Sequence, residues 1–212
     1  METIAFLTIV CGAFSLLCLL SLHFVSPEFE PGWRMVSEYA YGKHKWLLTL
    51  FFLFWGLCSI LSAVLLWNIV TTLWAMFGTI LIFITGIGAV FGGMFDVKHK
   101  LHGLAFGLGV PFLPVGALLV SFHLVNIETW SSYQTLILFS AHSIWISLVL
   151  MAVSMMLLFA GFKKAGVPVG PNIDPPKLLP AGAIGTNGYM NRLLVICYII
   201  WPVAIAGIYL SI

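Results

Sequence analysis

Six long apolar runs divide the chain, at about residues 3–25, 47–67, 73–95, 103–125, 133–161 and 193–210. Each is near the ~20 residues that carry a helix across a bilayer, and the fifth is long enough to tilt or project. An apolar strand alone in lipid would leave its backbone unpaired, so every run is expected to be helical. The pattern predicts an all-α, polytopic membrane bundle with six transmembrane helices, one domain over residues 1–212. Residues 1–3, Met-Glu-Thr, lack a positive leader region, and no A-x-A-like site follows, so the first run is expected to remain as a span.

Composition agrees: 61% of the residues are hydrophobic and only 8% charged, against about 25% charged in a soluble domain. The distribution of charge adds an orientation. Arg34, Lys43 and Lys45 fall between runs one and two, and Lys98 and Lys100 between three and four. Lys163, Lys164, Lys177 and Arg192 fall between five and six, which completes the nine Lys and Arg. The other two connections carry only Glu128. The positive-inside rule therefore predicts these three loops in the cytoplasm and both termini outside, in the cell membrane. No basic stripe suggests a nucleic-acid partner. Cys11, Cys18, Cys58 and Cys197 all lie within apolar runs and read as small buried hydrophobes.

Small residues at Gly88 and Gly92, and at Gly103 and Gly107, have the spacing that lets helix backbones approach. No internal repeat of the kind seen in carriers is visible. Residues 162–189 contain Pro168, Pro171, Pro175, Pro176 and Pro180 with several glycines, and are expected to be non-helical.

No acidic or basic residue interrupts the middle of a run, which argues against an ion-coupled pump. Candidate chemistry collects at the predicted cytoplasmic boundary: His23, Glu28, Arg34, Glu38, Asp96, His99 and His102. Residues 32–40 suit a short amphipathic helix with Trp33, Val36 and Ala40 on one face. Arg34 and Glu38 stand at the favourable i,i+4 spacing on another. There Arg34 is a fork for a lipid phosphate or simply an orientation anchor. Asp96, His99 and His102 recur at i, i+3 and i+6. They are residue types able to hold a divalent metal, though their spacing matches no established ligand pattern; the alternative is a polar turn. His123 and His142 should differ in depth by about 10 Å, so the pair does not suit bis-histidine haem, and His142 reads as an interhelical hydrogen-bonding residue.

Two stretches, His23-Phe-Val-Ser-Pro-Glu-Phe with Arg34-Met-Val-Ser-Glu-Tyr-Ala, and Gly92-Gly-Met-Phe-Asp96 with His99 and Leu101-His102-Gly103, resemble an uncharacterised membrane family of bacteria and archaea. It is the domain-of-unknown-function family nine-nine-eight, loosely grouped with the Frag/DRAM/Sfk membrane proteins. The resemblance covers most of the chain and implies the six-span layout and a membrane location, with no activity or cofactor attached. The fifth loop and last run match no motif. Three functions remain open. One is a lipid-interacting or accessory protein whose boundary residues meet membrane lipid. Another is an interfacial enzyme acting on a lipid or isoprenoid, with a divalent metal as a candidate cofactor. The third is a carrier for a small apolar or amphiphilic ligand. Oligomeric state is not legible.

Overall fold

A computed structural model describes residues 1–168, 176 and 178–212. It is all-helical, with no strand among the described residues. Helix α1 spans Glu2–Val25, α2 Lys45–Trp67, α3 Leu73–Met94, α4 His102–Gly109, α5 Phe112–Leu124, α6 Glu128–Ser131, α7 Gln134–Lys164 and α8 Asn187–Ser211. A 3-10 helix, Val36–Tyr41, lies between α1 and α2. Taking α4 and α5 as one span, six helical segments among the described residues are long and apolar enough to cross a membrane. The exposed Trp46 and Trp67 stand at opposite ends of α2. Helical rise separates them by about 32 Å, close to the ~30 Å of a hydrocarbon core.

The spans are apolar all round, and side-chain size decides which face turns inward. On α1, Ala5, Thr8, Cys11, Ser15, Cys18 and Leu22 recur every three or four residues and are buried. Phe6, Phe14, Leu17 and Phe24 face outward. Small residues inside allow backbones to approach, as expected where lipid competes equally for large apolar side chains. Gly56 and Gly86 bring α2 and α3 together in this way, and Gly78 and Gly116 do so for α3 and α5. A Cβ on Gly88 would collide with the backbone of Gly109, whereas one on Gly92 would meet the ring of Phe52. The expected Gly103 and Gly107 contact does not form: both face open space.

The fourth span is broken at Val110 and Pro111. Pro111 and Pro114 lack an N–H, so neither can donate within the helix. The carbonyl of Val110, which residue 114 would otherwise serve, accepts instead from the Tyr198 hydroxyl at 2.6 Å. Such substitution is what makes a break tolerable at membrane depth.

The two ends of the bundle differ. At one end Thr71 donates its backbone N–H to His123 Nε2 at 3.3 Å, and Ser211 Oγ meets the Tyr133 hydroxyl at 3.0 Å. At the other, loops 26–44 and 95–101 gather with the described part of the loop between α7 and α8; this is the basic end. The described part of the fifth loop is non-helical and packs Leu179 and Ala183 against Trp33, Leu158 and Phe162. Pro171, Pro175 and Lys177 lie outside the described residues.

Candidate functional site

Loop one folds back into the bundle at the basic end and does not lie along its surface. The expected α-helix over residues 32–40 is instead a turn leading into the 3-10 helix. Trp33, Val36 and Ala40 are buried as their apolar character suggests, but Arg34 and Glu38 are buried as well. They have little choice but each other. Arg34 Nε and Glu38 Oε2 approach to 2.6 Å, as a close ion pair and not an aligned hydrogen bond. Arg34 also donates from Nη1 to the Pro176 carbonyl at 2.8 Å and lies over the rings of Trp33 and Phe29. The guanidinium imagined as a lipid-phosphate fork is thus largely committed inside the protein. Burial pushes the Glu38 carboxyl above its usual pKa, and the Arg34 charge opposes this without cancelling it.

The residue that organises loop one is Arg192, which the apolar pattern leaves in a loop. Helix α8 begins at Asn187 rather than at 193, so Arg192 sits within its second turn and is 6% exposed. Its Nη1 donates to the carbonyls of Arg34 at 2.7 Å, Gly188 at 3.0 Å and Pro31 at 3.2 Å. Nη2 donates to the Tyr39 hydroxyl at 3.0 Å, and Nε to His23 Nε2 at 2.7 Å. A guanidinium cannot accept, so His23 Nε2 carries the lone pair. Its Nδ1 then carries the proton and donates to the Leu19 carbonyl at 2.7 Å. Gly188 makes the docking possible, because a Cβ there would strike the carbonyls of Pro31 and Arg34. Asn191 adds a further tie, accepting the Val36 N–H at 2.8 Å. The only cue to this in the sequence is a glycine, an asparagine and an arginine standing just before an apolar run.

Loop three meets loop one along its edge. Lys45, the first residue of α2, donates to Asp96, and Lys98 lies 4.7 Å from the centre of the Tyr41 ring. Asp96 also accepts the Lys98 N–H at 2.9 Å. Partial burial works to raise the Asp96 pKa, but the Lys45 bond, the Lys98 N–H and both lysine charges outweigh it and hold the carboxyl low. The exposed His99 stacks on Phe95 and accepts the Leu101 N–H at Nδ1. His102 Nδ1 donates to the Phe95 carbonyl at 3.0 Å. Asp96, His99 and His102 therefore turn to separate partners. Among the described residues no three His, Cys, Asp or Glu side chains converge in a manner that could hold a metal ion. Glu28 is exposed, and Glu30 accepts the Trp33 indole N–H at 3.1 Å. His142 makes its hydrogen bond within its own helix, accepting from Trp145 Nε1 at 2.8 Å, and meets α5 through an edge contact with the Phe122 ring at 6.2 Å rather than through an interhelical hydrogen bond.

Below the 3-10 helix, toward the bundle interior, lies a cavity of about 160 Å³. It opens where α4 and α5 part company. Met35 and Ser37 roof it, Phe52 and Trp55 come from α2, and Gly88 and Gly92 from α3. His102 and Phe106 line it from α4, Met151 and Met155 from α7, and Asn191 and Leu194 from α8. Among the described residues no Asp, Glu, Lys or Arg lines it. Of the boundary residues singled out above, His102 alone reaches it.

Residues 9–208 match the family model described as protein of unknown function, DUF998. The chain belongs to this family. The match runs from within α1 to within the last turn of α8 and so takes in all or most of each of the six spans, loop one and the cavity. Comparison with curated proteins and with solved structures gives no match. This DUF998 member is a multi-pass membrane protein by its six apolar spans.

Proposed function

We propose that this DUF998 protein is a lipid-interacting membrane protein that holds part of an amphiphile in the cavity beneath loop one. The observation that carries the reading is the cavity itself: lined by the 3-10 helix and five α-helices, uncharged, rich in thioethers and aromatic rings, and set at the basic end. Ligand sites are typically concave and mostly apolar with a few placed polar groups, and methionine surfaces adapt to varied apolar shapes. Phe106 supports access from lipid, since it lines the cavity and is 50% exposed on the outer surface of α4. The exposed Lys43, Lys100, Lys163 and Lys164 ring the same end. In the cytoplasmic orientation that the basic loops favour, these would attract anionic headgroups of the cell membrane. The trio in loop three offers no shared geometry that would favour an enzymatic reading.

Photo-crosslinking with diazirine-bearing phospholipid in native membranes tests the reading. Crosslinks should map to Ala105, Met155 or Leu194, and Ala105→Phe, which fills the cavity, should remove them. Crosslinks confined to outward residues such as Phe139 and Trp74 would overturn it. For the orientation, a reporter that folds only in the cytoplasm should be inactive when fused after Ile212.

A further inference from the structure

Trp55 lines the cavity and is 3% exposed, yet its indole N–H has no hydrogen-bond partner among the described residues. Leaving a buried donor unpaired costs about 1–3 kcal/mol, and native proteins rarely do so without cause. The rings around it explain how it is held, and none of them places an acceptor within hydrogen-bond distance of the indole N–H. Phe52 stacks at 24° and 5.8 Å, and Tyr198 meets it edge-on at 5.9 Å with its own hydroxyl already given to Val110. Nearby polar atoms are also in use. Asn191 accepts from Val36 and turns its amide N–H toward the Met151 sulfur, while His102 Nδ1 serves the Phe95 carbonyl. His102 Nε2 keeps a lone pair in that tautomer and lines the same site, yet neither it nor any other acceptor among the described residues reaches the indole N–H, which faces bulk apolar contact unpaired.

Size narrows the occupant. A cavity of about 160 Å³ is close to the engineered apolar cavity of about 150 Å³ that admits a benzene ring. It holds one ring-sized group and not a whole lipid. The absence of charged lining groups disfavours a phosphate or ammonium headgroup, whose desolvation nothing here would offset.

We propose, building on the lipid-interacting reading, that the cavity binds an uncharged, carbonyl-bearing ring of the quinone kind. A carbonyl oxygen of the ring accepts the Trp55 N–H. The ring lies among Phe52, Met151 and Met155, and its hydrocarbon tail leaves past Phe106 between α4 and α7 into lipid. Binding involves no electron transfer and no covalent step.

The test uses the full chain in phospholipid nanodiscs, with binding of two probes measured above the partition into empty discs: a decyl-substituted benzoquinone and decylbenzene. The quinone should bind saturably, one per protein, and about five- to tenfold more tightly than decylbenzene, the worth of about one hydrogen bond in an apolar site. Trp55→Phe should remove that advantage, so that within the variant the quinone and decylbenzene bind equally. Equal binding of the two probes to the unaltered protein would overturn the acceptor proposal and needs no variant. Quinone binding indifferent to Trp55→Phe in a protein that still folds would overturn it also. In either case, crosslinking of phospholipid to Ala105 or Met155 would still support the broader reading. Loss of those crosslinks together with failure of both probes to bind would overturn both.

Discussion

Arg192 and Trp55 are both nearly buried donors close to the basic end, and the protein treats them oppositely. Arg192 reaches three carbonyls, a hydroxyl and an imidazole, all from its own chain. Trp55 reaches none. A buried cation left short of partners would cost several kcal/mol, so its surroundings must be complete before any ligand arrives. A neutral N–H is cheaper to leave open, and a binding site can tolerate that cost when a ligand later meets it. The contrast separates a structural knot, which pins loop one to α8, from a receptive site beneath it.

The largest effect that would sharpen this contrast is at Arg192. Arg192→Met removes the guanidinium and strands the carbonyls of Pro31 and Arg34, so unfolding in mixed detergent should register a loss of about 3–5 kcal/mol. Arg192→Lys keeps the charge without the planar fork and should recover only part of it. A loss below 1 kcal/mol (about the worth of a surface pair) would end the description of Arg192 as a structural centre.

Tyr198→Phe should rank next. It leaves the Val110 carbonyl unpaired at the break between α4 and α5, for about 1–3 kcal/mol, read by the same unfolding measurement. Trp55→Phe should cost the ligand-free protein less than about 1.5 kcal/mol, because packing changes but no hydrogen bond is lost. A larger loss would mean that the indole N–H is already satisfied, and the comparison with Arg192 would fail.

The smallest effect is expected at the edge where loops one and three meet. Lys45 is half exposed, so Asp96→Asn should change stability by no more than about 1 kcal/mol, and less in high salt. The sign with pH follows from the lowered Asp96 pKa. Its contribution is present above the unfolded carboxyl's pKa of about 3.9 and is lost as pH falls through the lower folded value. Thermal unfolding of wild type and Asp96→Asn should therefore converge in acid; divergence there would reverse the assignment.

How legible the site was varied with the physics behind each residue. Arg34 and Glu38 were readable as partners from their i,i+4 spacing, although the pair forms across a turn and a 3-10 helix and not on an α-helical face. Their burial was not, since the same segment would suit an interfacial helix equally well. Asp96, His99 and His102 showed a spacing that a continuous helix would align. The chain turns there, and each side chain takes the nearest backbone or lysine partner. Arg192 was hidden by its position at the end of an apolar run, where a basic residue reads as a flank. Trp55 was hidden more thoroughly: within an apolar helix nothing distinguishes a tryptophan facing lipid, such as Trp74, from one facing a cavity.

The sequence by itself determined the helical class, the number of spans and the gathering of basic residues at one end. Each of these rests on a property that is local or summed along the chain: the length of an apolar run against bilayer thickness, the backbone's need for internal hydrogen bonds, and the count of lysines and arginines per loop. Tertiary structure alone decided that loop one turns inward, that α4 parts from α5 at Val110, and that a cavity opens below with one donor unmet. Those outcomes depend on which helix faces meet. In lipid that choice is made by small residues and a few buried polar contacts, and hydropathy does not record them.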